Sequence, residues 1–313
     1  MRFLVTGGAG FIGSNIAKAL AADPANDVVA ADSFLSATWR NLVDFPGDVL
    51  TLKDSEDVAS ILSAGPYDAI FHQASITGVI ASDGSASVTN EVRMLRNNVE
   101  TFRALLDHAV ATKARMIYAS SCSIYGRNPT PMRESQTPDP LNIYAFSKLS
   151  MERLAKKYAP KLSHPIIGLR YSNVYGPGEE HKGKLASMIH QLAKQMRSGT
   201  RPRIFRSGQQ TRDFVYIADV VQANLNSLHA KESGSFNVGA GQSWSFNQVV
   251  AELNRVLKTN LEPDYFENPY GFTQDNTQVD LTLSSRILNY HPQHDLKSGI
   301  DAYQASGKLG IAS

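Results

Sequence analysis

The chain has 313 residues, of which 42% are apolar and 9% aromatic, so it is long enough to bury a large core. Its 31 basic and 29 acidic residues give a formal net charge of +2, and neither sign forms a long run. The balanced charge gives no reason to expect a nucleic acid as partner. We also expect no membrane partner, because the apolar runs are shorter than the roughly 20 residues of a transmembrane helix.

Two features bear on the cellular compartment. The first residues run directly into a glycine motif, without the apolar stretch and small-residue cleavage site of an export signal. The single cysteine, Cys122, cannot form an internal disulfide, in agreement with a reducing environment. We expect a cytoplasmic protein.

Short apolar runs alternate with longer helical patterns through the first half of the chain. Strand runs with little polar alternation are typical of a parallel sheet that is covered on both faces. The sequence therefore predicts an α/β fold with a doubly wound parallel sheet (Rossmann). The predicted strands are Arg2–Thr6, Val28–Asp32, Ala69–His72, Arg115–Ser120 and Pro165–Arg170.

The alternation becomes irregular after about residue 170, where loops rich in Gly, Pro and charge separate shorter elements. We predict a dinucleotide-binding domain over 1–170, to which 213–230 returns as a strand and a helix. A smaller, interleaved C-terminal α/β region over 171–212 and 231–313 is predicted to bind the substrate.

A glycine-rich turn follows the first predicted strand. Gly7, Gly10 and Gly13 permit a tight turn and a close approach of the backbone to a pyrophosphate, and the helical pattern 14–22 follows at once. Asp32 ends the second strand about 20 residues later, where a carboxylate accepts hydrogen bonds from ribose hydroxyls. This context predicts a dinucleotide site, whereas an isolated glycine motif would be weak evidence.

The residues at and after the end of the second predicted strand also bear on the choice between NAD and NADP. Asp32 would repel a 2′-phosphate, whereas Arg40, close behind it, would pair with one. We expect NAD, with NADP as the alternative, and no metal ion.

Tyr144 and Lys148 are four residues apart in the predicted helix 142–154, so both side chains project from one face. This spacing alone occurs by chance in many helices. However, Ser121 follows the predicted strand 115–120, at the sheet edge where such folds bind their ligands. The two motifs together predict a catalytic site.

The combination of the glycine turn, Asn98, Ser121, Tyr144 and Lys148 resembles the extended short-chain dehydrogenase/reductase family over almost the whole chain. The resemblance implies that Tyr144 is the acid/base, that Lys148 lowers the pKa of Tyr144, and that Ser121 binds the reacting oxygen. Asn98 would support the lysine through water, and His72 would serve the strand end and cofactor rather than transfer protons. The cofactor-binding residues so implied are Gly7, Gly10, Phe11, Ile12, Gly13, Asp32, Asn98, Tyr144 and Lys148.

The reaction is narrowed by two further segments. Relatives that dehydrate or decarboxylate sugars carry an acid directly after the catalytic Ser or Thr, whereas Cys122 and Ser123 follow Ser121 here. The residues around Lys182 closely resemble those of the ADP-glyceromanno-heptose 6-epimerases. That resemblance implies that Lys182 is a second catalytic acid/base, opposite Tyr144 across the sugar.

The resemblance also implies a nucleotide-diphosphate sugar as substrate and a homo-oligomeric assembly. Arg212 is expected to bond phosphate oxygens. The substrate-binding residues so implied are Ser123, Asn173, Lys184, Ser187, Phe205 and Arg212.

Two alternatives stay open at this point. Residues 75–80 depart from the heptose 6-epimerase pattern, residues 82–95 are longer than their counterpart, and the tail 268–280 keeps the family pattern but lacks an expected basic residue. These differences leave a 4-epimerase or a 4-oxidising enzyme of a UDP- or GDP-linked sugar as the second hypothesis. A remote third is a non-catalytic dinucleotide sensor, because a fold alone does not establish a function.

Overall fold

The computed structural model describes residues 1–54, 57–77, 88–267 and 275–311, with the backbone only for residues 88 and 89. The strands of these ranges are β1 (Arg2–Thr6), β2 (Asp27–Asp32), β3 (Asp48–Thr51), β4 (Ala69–His72), β5 (Arg115–Ser121), β6 (Ile166–Tyr171), β7 (Asn173–Tyr175), β8 (Arg203–Phe205), β9 (Thr211–Arg212), β10 (Phe214–Tyr216), β11 (Gly234–Val238), β12 (Trp244–Ser245) and β13 (Asp264–Phe266). The helices are α1 (Phe11–Ala21), α2 (Val58–Ser63), α3 (Val88–Thr112), α4 (Ile143–Tyr158), α5 (Met188–Arg197), α6 (Ile217–Asn226), α7 (Phe246–Leu257), α8 (Thr282–Leu288) and α9 (Leu296–Ala305).

Within the described ranges, the main sheet has seven strands in the order β11-β6-β5-β4-β1-β2-β3, and every neighbouring pair is parallel. The chain moves outward from β1 to β3, then crosses back to β4 and moves outward on the other side. This crossing opens a crevice at the carboxyl ends of β1 and β4, where ligands bind in such sheets. The predicted doubly wound fold is confirmed.

Successive side chains of the central strands point to opposite faces of the sheet. In β1, Phe3 and Val5 join the core beneath α1, α5 and α6, whereas Leu4 joins the core beneath α2, α3 and α4. All three side chains are buried. Burial on both faces explains why these strands are apolar without alternation, which is the pattern that made them predictable.

The five predicted strands are all present, with ends that agree to within one residue. The two edge strands of the sheet, β3 and β11, are not among the predictions. The side chains of β3 are mostly exposed, and β11 begins with Gly and Ser, so neither carries a long apolar run.

The second half of the chain adds short pairs of strands around this sheet. The segment 213–230 forms a strand and a helix as predicted, but β10 pairs with β7 outside the main sheet. The edge strand β11 lies in the main sheet, although 231–313 is assigned above to the substrate region. The division into two domains stays a prediction. None of the helices in the described part of the chain is long and apolar enough to cross a bilayer.

Candidate active site

The turn between β1 and α1 is shaped by its glycines. Gly7 has a φ of 66°, in the left-handed region that favours glycine. A Cβ on Gly13 would lie 2.1 Å from the carbonyl oxygen of Gly7, so α1 and the turn before it approach too closely for any side chain there. Gly10 is the N-cap of α1 and offers no side chain to cap the helix. The positive end of α1 is therefore open to an anion such as a pyrophosphate.

Asp32 lies beside this turn at the end of β2 and is 8% exposed. Its Oδ2 accepts a hydrogen bond of 3.0 Å from the Ala9 amide, and its Oδ1 accepts one of 2.9 Å from the Phe34 amide. A carboxylate has about four acceptor positions, so two remain for ribose hydroxyls. The turn and Asp32 together fit the phosphates and the adenosine ribose of a dinucleotide.

Ser121 and Tyr144 meet at the carboxyl end of β5. Ser121 is the N-cap of the 3₁₀ turn Cys122–Tyr125, and its Oγ accepts a hydrogen bond of 3.1 Å from the Ser123 amide. Burial raises the pKa of Tyr144, and the Ser121 hydroxyl lies close enough to the phenol to oppose that rise. A phenol and a hydroxyl that lie side by side can hold and move a proton on a substrate oxygen.

Lys148 lies one turn further along α4 and is 1% exposed. Its Nζ donates a hydrogen bond of 2.9 Å to the Ala119 carbonyl oxygen and lies 5.8 Å from the centre of the Tyr144 ring. Burial lowers the pKa of Lys148 to about 7. The expectation that Lys148 lowers the pKa of Tyr144 stays a prediction, because burial is the largest influence on the phenol in this structure.

The stability of the protein should depend on pH through Lys148. The folded chain binds this proton less tightly than the unfolded chain, so stability is expected to rise between about pH 7 and 10.5. The rise attributable to this group is at most about 1.4 kcal/mol per pH unit. Denaturant unfolding of the native chain and of Lys148→Met, compared across this range, measures it as the difference in slope. Equal slopes for the two chains would contradict the assignment.

Asn98 is buried between the end of β4 and α4. Its Nδ2 donates to the Ile76 carbonyl oxygen at 3.1 Å and to Ser147 Oγ at 3.0 Å, and its Oδ1 accepts from the Ile76 amide. Ser147 Oγ in turn donates to the Tyr144 carbonyl oxygen at 2.8 Å. Asn98 thus joins the segment after β4 to the helix that carries Tyr144 and Lys148. Its support of Lys148 through water stays a prediction.

His72 lies at the end of β4 and is 1% exposed. Its Nδ1 is 2.7 Å from Thr6 Oγ1, and its ring stacks on Phe102 with centroids 5.5 Å apart. Burial, together with the nearby charge of Lys148, lowers the pKa of His72 to about 3. The imidazole is therefore neutral at physiological pH, in line with an assignment to the strand end rather than to proton transfer.

A buried polar network that the sequence analysis did not identify lies behind the catalytic turn. Glu152 and Arg170 form a two-point ion pair with N to O distances of 2.7 and 2.9 Å. Glu152 also accepts from Ser120 Oγ at 2.5 Å, and Arg170 donates to the Tyr125 hydroxyl oxygen at 2.8 Å. The network joins α4, β5, β6 and the catalytic turn. Glu152 was detectable, since it lies four residues after Lys148 and therefore on the same helix face.

Lys182 lies in the 3₁₀ turn Glu180–Leu185, half-buried, with its Nζ 5.4 Å from the centre of the Phe11 ring. Burial lowers the pKa of Lys182, and the charge of Glu179 opposes this effect. The structure thus places Lys182 against the start of α1, on the dinucleotide side of the crevice. A lowered pKa brings a lysine closer to the range in which it exchanges protons at neutral pH.

Two residues near Lys182 that were expected to bind substrate have different surroundings. Lys184 is exposed. Ser187 is the N-cap of α5: its Oγ accepts from the His190 amide at 3.2 Å and donates to Glu179 Oε1 at 2.9 Å. The Ser187 hydroxyl is therefore already engaged within the protein, and a role in binding substrate stays a prediction for both residues.

Arg212 and Asn173 lie close together in the second half of the chain. Arg212 donates from Nη1 to the Thr211 carbonyl oxygen at 2.8 Å, and Asn173 donates from Nδ2 to the Asp213 carbonyl oxygen at 3.3 Å. Burial lowers the pKa of Arg212, but the guanidinium stays charged at neutral pH. Phe205 lies in β8 with its ring edge against Phe266.

Asp213, which the sequence analysis did not single out, holds this region together. The carboxylate is fully buried and accepts hydrogen bonds of 2.7 to 3.1 Å from the amides of Ala240, Gly241 and Val279. Burial raises its pKa to about 7, against the opposing effect of these bonds. Burial raises the pKa of Cys122 and the charge of Asp213 adds to that rise, so the catalytic turn lies beside this region.

The sequence of residues 3–239 matches the NAD dependent epimerase/dehydratase family, which covers more than half of the chain. This chain belongs to that family. The resemblance to extended short-chain dehydrogenases/reductases is thereby confirmed. The expected enzyme class, an NAD-dependent nucleotide-sugar epimerase, is confirmed as well.

Solved structures of family members superimpose on almost the whole chain. The ADP-L-glycero-D-manno-heptose-6-epimerase of Helicobacter pylori is 36% identical, with a TM-score of 0.89 over 97% of this chain and 95% of that one. The UDP-glucuronic acid 4-epimerase of Bacillus cereus, solved with UDP-glucuronic acid and NAD, is 29% identical, with a TM-score of 0.84 over 97% and 98%. The UDP-glucose 4-epimerase of Thermotoga maritima, solved with UDP-glucose, is 28% identical, with a TM-score of 0.86 over 98% and 99%.

Membership of this family agrees with NAD as the expected cofactor. The sequence differences from the heptose 6-epimerase pattern fall partly outside the described residues, since 78–80 and 268–274 belong to the omitted ranges.

Proposed function

We propose that this epimerase inverts a carbon of an ADP-linked heptose and that Tyr144 and Lys182 exchange protons with opposite faces of the sugar. The observation that carries the proposal is Lys182, half-buried against Phe11 with a lowered pKa, within a segment that resembles the heptose 6-epimerases. The 36% identity with the Helicobacter pylori enzyme supports the same substrate class.

The cofactor-binding residues fit NAD, whose nicotinamide when bound accepts hydride from the reacting carbon and returns it. Ser121 holds the sugar oxygen at that carbon, and Tyr144 removes its proton as the carbon becomes a ketone. After the sugar turns, Lys182 supplies the proton on the other side. The Tyr144 phenol and the Lys182 amine, acting from opposite sides, invert the carbon without net oxidation.

The substrate is held by groups around this centre. The Oγ of Ser123 is buried and, among the described residues, has no hydrogen-bond partner. An unpaired buried hydroxyl costs free energy unless a ligand group bonds to it. We propose that Ser123 bonds the sugar, whereas Arg212 and Asn173 hold the diphosphate. A homo-oligomeric assembly and a cytoplasmic location stay predictions.

Lys182→Met tests the proposal. The change removes the amine and leaves an unbranched side chain one atom shorter, and we expect a loss of about 10²–10⁴-fold in kcat with ADP-glyceromanno-heptose. NAD affinity should stay within a few-fold of the native value, as measured by fluorescence titration. Lys194→Met, at an exposed position on α5, is the control and should retain full turnover.

The second candidate is a 4-epimerase of a UDP- or GDP-linked sugar, in which Tyr144 alone exchanges protons. It is favoured by the structural similarity to two UDP-sugar 4-epimerases. NMR detection of epimers after incubation with ADP-, UDP- and GDP-sugars separates the two. Turnover of a UDP-sugar that survives Lys182→Met would replace the first proposal by the second.

A further inference from the structure

The segment that carries Lys182, residues 176–187, is closed by one buried carboxylate; we call it the Lys182 loop. Glu179 is fully buried and accepts hydrogen bonds from the Gly176 amide at 3.0 Å and from the Ser187 amide at 2.5 Å. These two amides lie at opposite ends of the segment. Since both ends bond to the same side chain, the loop should move as a unit rather than residue by residue.

The Lys182 loop is tied to the glycine turn by Asn41, which is 5% exposed. The Nδ2 of Asn41 donates to the Ala9 carbonyl oxygen at 3.1 Å and to the Gly178 carbonyl oxygen at 3.0 Å. His181 Nδ1 lies 3.4 Å from the same nitrogen. A single amide group therefore bridges the turn that receives the dinucleotide and the loop that carries Lys182.

A second asparagine reinforces the bridge from α1. The Nδ2 of Asn15 donates to the Phe11 carbonyl oxygen at 2.8 Å and to the Pro177 carbonyl oxygen at 3.1 Å. Phe11 is also the residue whose ring lies beneath the Lys182 ammonium. The loop thus meets the start of α1 through both backbone and side chain.

The bridge extends to the ribose carboxylate. Asp32 accepts from the Ala9 amide, and Asn41 donates to the carbonyl oxygen of the same residue. Burial lowers the pKa of His181, and the charge of Asp32 is near enough to oppose that effect. A continuous path of hydrogen bonds therefore runs from Asp32 through Ala9 and Asn41 to Gly178, four residues before Lys182.

We infer that Asn41 is a positioning residue that couples occupancy of the dinucleotide site at Asp32 to the placement of Lys182. Ribose hydroxyls bound to Asp32 and phosphates bound at the turn hold the Ala9 backbone in one position. Asn41 passes that restraint to the Lys182 loop, because both protons of its amide are used on the two sides. The catalytic part of this inference rests on the proposed function of Lys182, whereas the coupling itself does not.

Hydrogen–deuterium exchange on the full chain, with and without NAD, tests the coupling. In the native chain, NAD is expected to slow exchange of peptides from residues 176–187 as well as those from the glycine turn. Asn41→Leu keeps a similar volume but removes both donors. It should reduce the protection from exchange that NAD gives to the Lys182 loop by about tenfold, whereas peptides from the glycine turn should stay protected.

Asn226→Leu is the matched control, because Asn226 also donates from Nδ2 to a backbone carbonyl, that of Asn289, away from the dinucleotide site. It should leave the response of the Lys182 loop to NAD unchanged. Equal NAD protection of that loop in the Asn41→Leu and native chains would overturn the inference. So would a native chain in which NAD leaves the loop unprotected, a result that needs no variant and therefore no refolding.

Turnover measurements separate this inference from the proposed function. If Asn41 acts through Lys182, Asn41→Leu should lower kcat by about tenfold in the native chain and by less than about twofold in Lys182→Met. A tenfold loss of kcat on Asn41→Leu in both the native chain and Lys182→Met would exclude action through Lys182. If Lys182→Met retains turnover, the proposed function fails, while the exchange experiment still decides whether the coupling exists.

Discussion

Tyr144→Phe is expected to lower kcat by about 10²–10⁴-fold, because it removes the hydroxyl that exchanges a proton with the sugar oxygen. The ring stays in place, and its surroundings in α4 are fixed by Asn98 and Ser147 rather than by the hydroxyl. NAD affinity should therefore change little. Stopped assays with NMR detection of the epimer measure the first quantity, and fluorescence titration with NAD measures the second.

Tyr158→Phe provides a control on the same helix. Tyr158 ends α4, and its hydroxyl donates to Asp107 Oδ1 at 2.6 Å, remote from Ser121. We expect turnover within about twofold of the native value, since Tyr158 lies about 21 Å along the helix from Tyr144. If Tyr144→Phe behaved like Tyr158→Phe with every nucleotide sugar, the sensor hypothesis would regain support.

Arg170→Met is expected to destabilise the fold by about 3–5 kcal/mol, since removing one partner of a buried ion pair leaves the other charge unpaired. The Arg170 and Glu152 side chains are only 7% and 9% exposed. Glu152 would keep its bond with Ser120 but would lose both guanidinium contacts. The shift in the midpoint of denaturant unfolding measures the effect.

Two further variants test why Arg170→Met destabilises the fold. Arg133→Met removes an exposed partner of Asp280 and should cost no more than about 1 kcal/mol. Arg170→Met combined with Glu152→Leu removes both charges and should recover part of the stability. A double variant no more stable than Arg170→Met would show that packing, rather than the unpaired carboxylate, accounts for the loss.

The sequence was sufficient to predict the central strands, the glycine turn and the helix with Tyr144 and Lys148, because each has a local signal. Strands buried on both faces are continuously apolar, and the glycines stand where backbone approaches backbone. The edge strands β3 and β11 escaped prediction because each has a neighbour on one side only, and their sequences carry no long apolar run.

The residues that organise the site were harder to predict. Asn41 lies in the short 3₁₀ helix Trp39–Leu42 after β2, and its partners, Ala9 and Gly178, are separated from it by 32 and 137 positions. Asp213 was visible as a neighbour of Arg212, but only the folded chain shows that it binds the backbone of three distant residues. Contacts of this kind depend on tertiary closure, for which one sequence has no periodic pattern.

The strand order also sets the distance between Asp32 and Ser121 across the sheet. Asp32 ends β2 and Ser121 ends β5, and the strands between them in the sheet are β1 and β4. Three spacings of about 4.8 Å separate the two carboxyl ends by about 14 Å across the sheet. An extended ligand that is anchored by its ribose at Asp32 must therefore span about 14 Å to reach the turn that begins at Ser121. One strand more or fewer between β2 and β5 would change this separation by about 4.8 Å. The reactive end of such a ligand would then miss Tyr144, even if all the catalytic residues were unchanged.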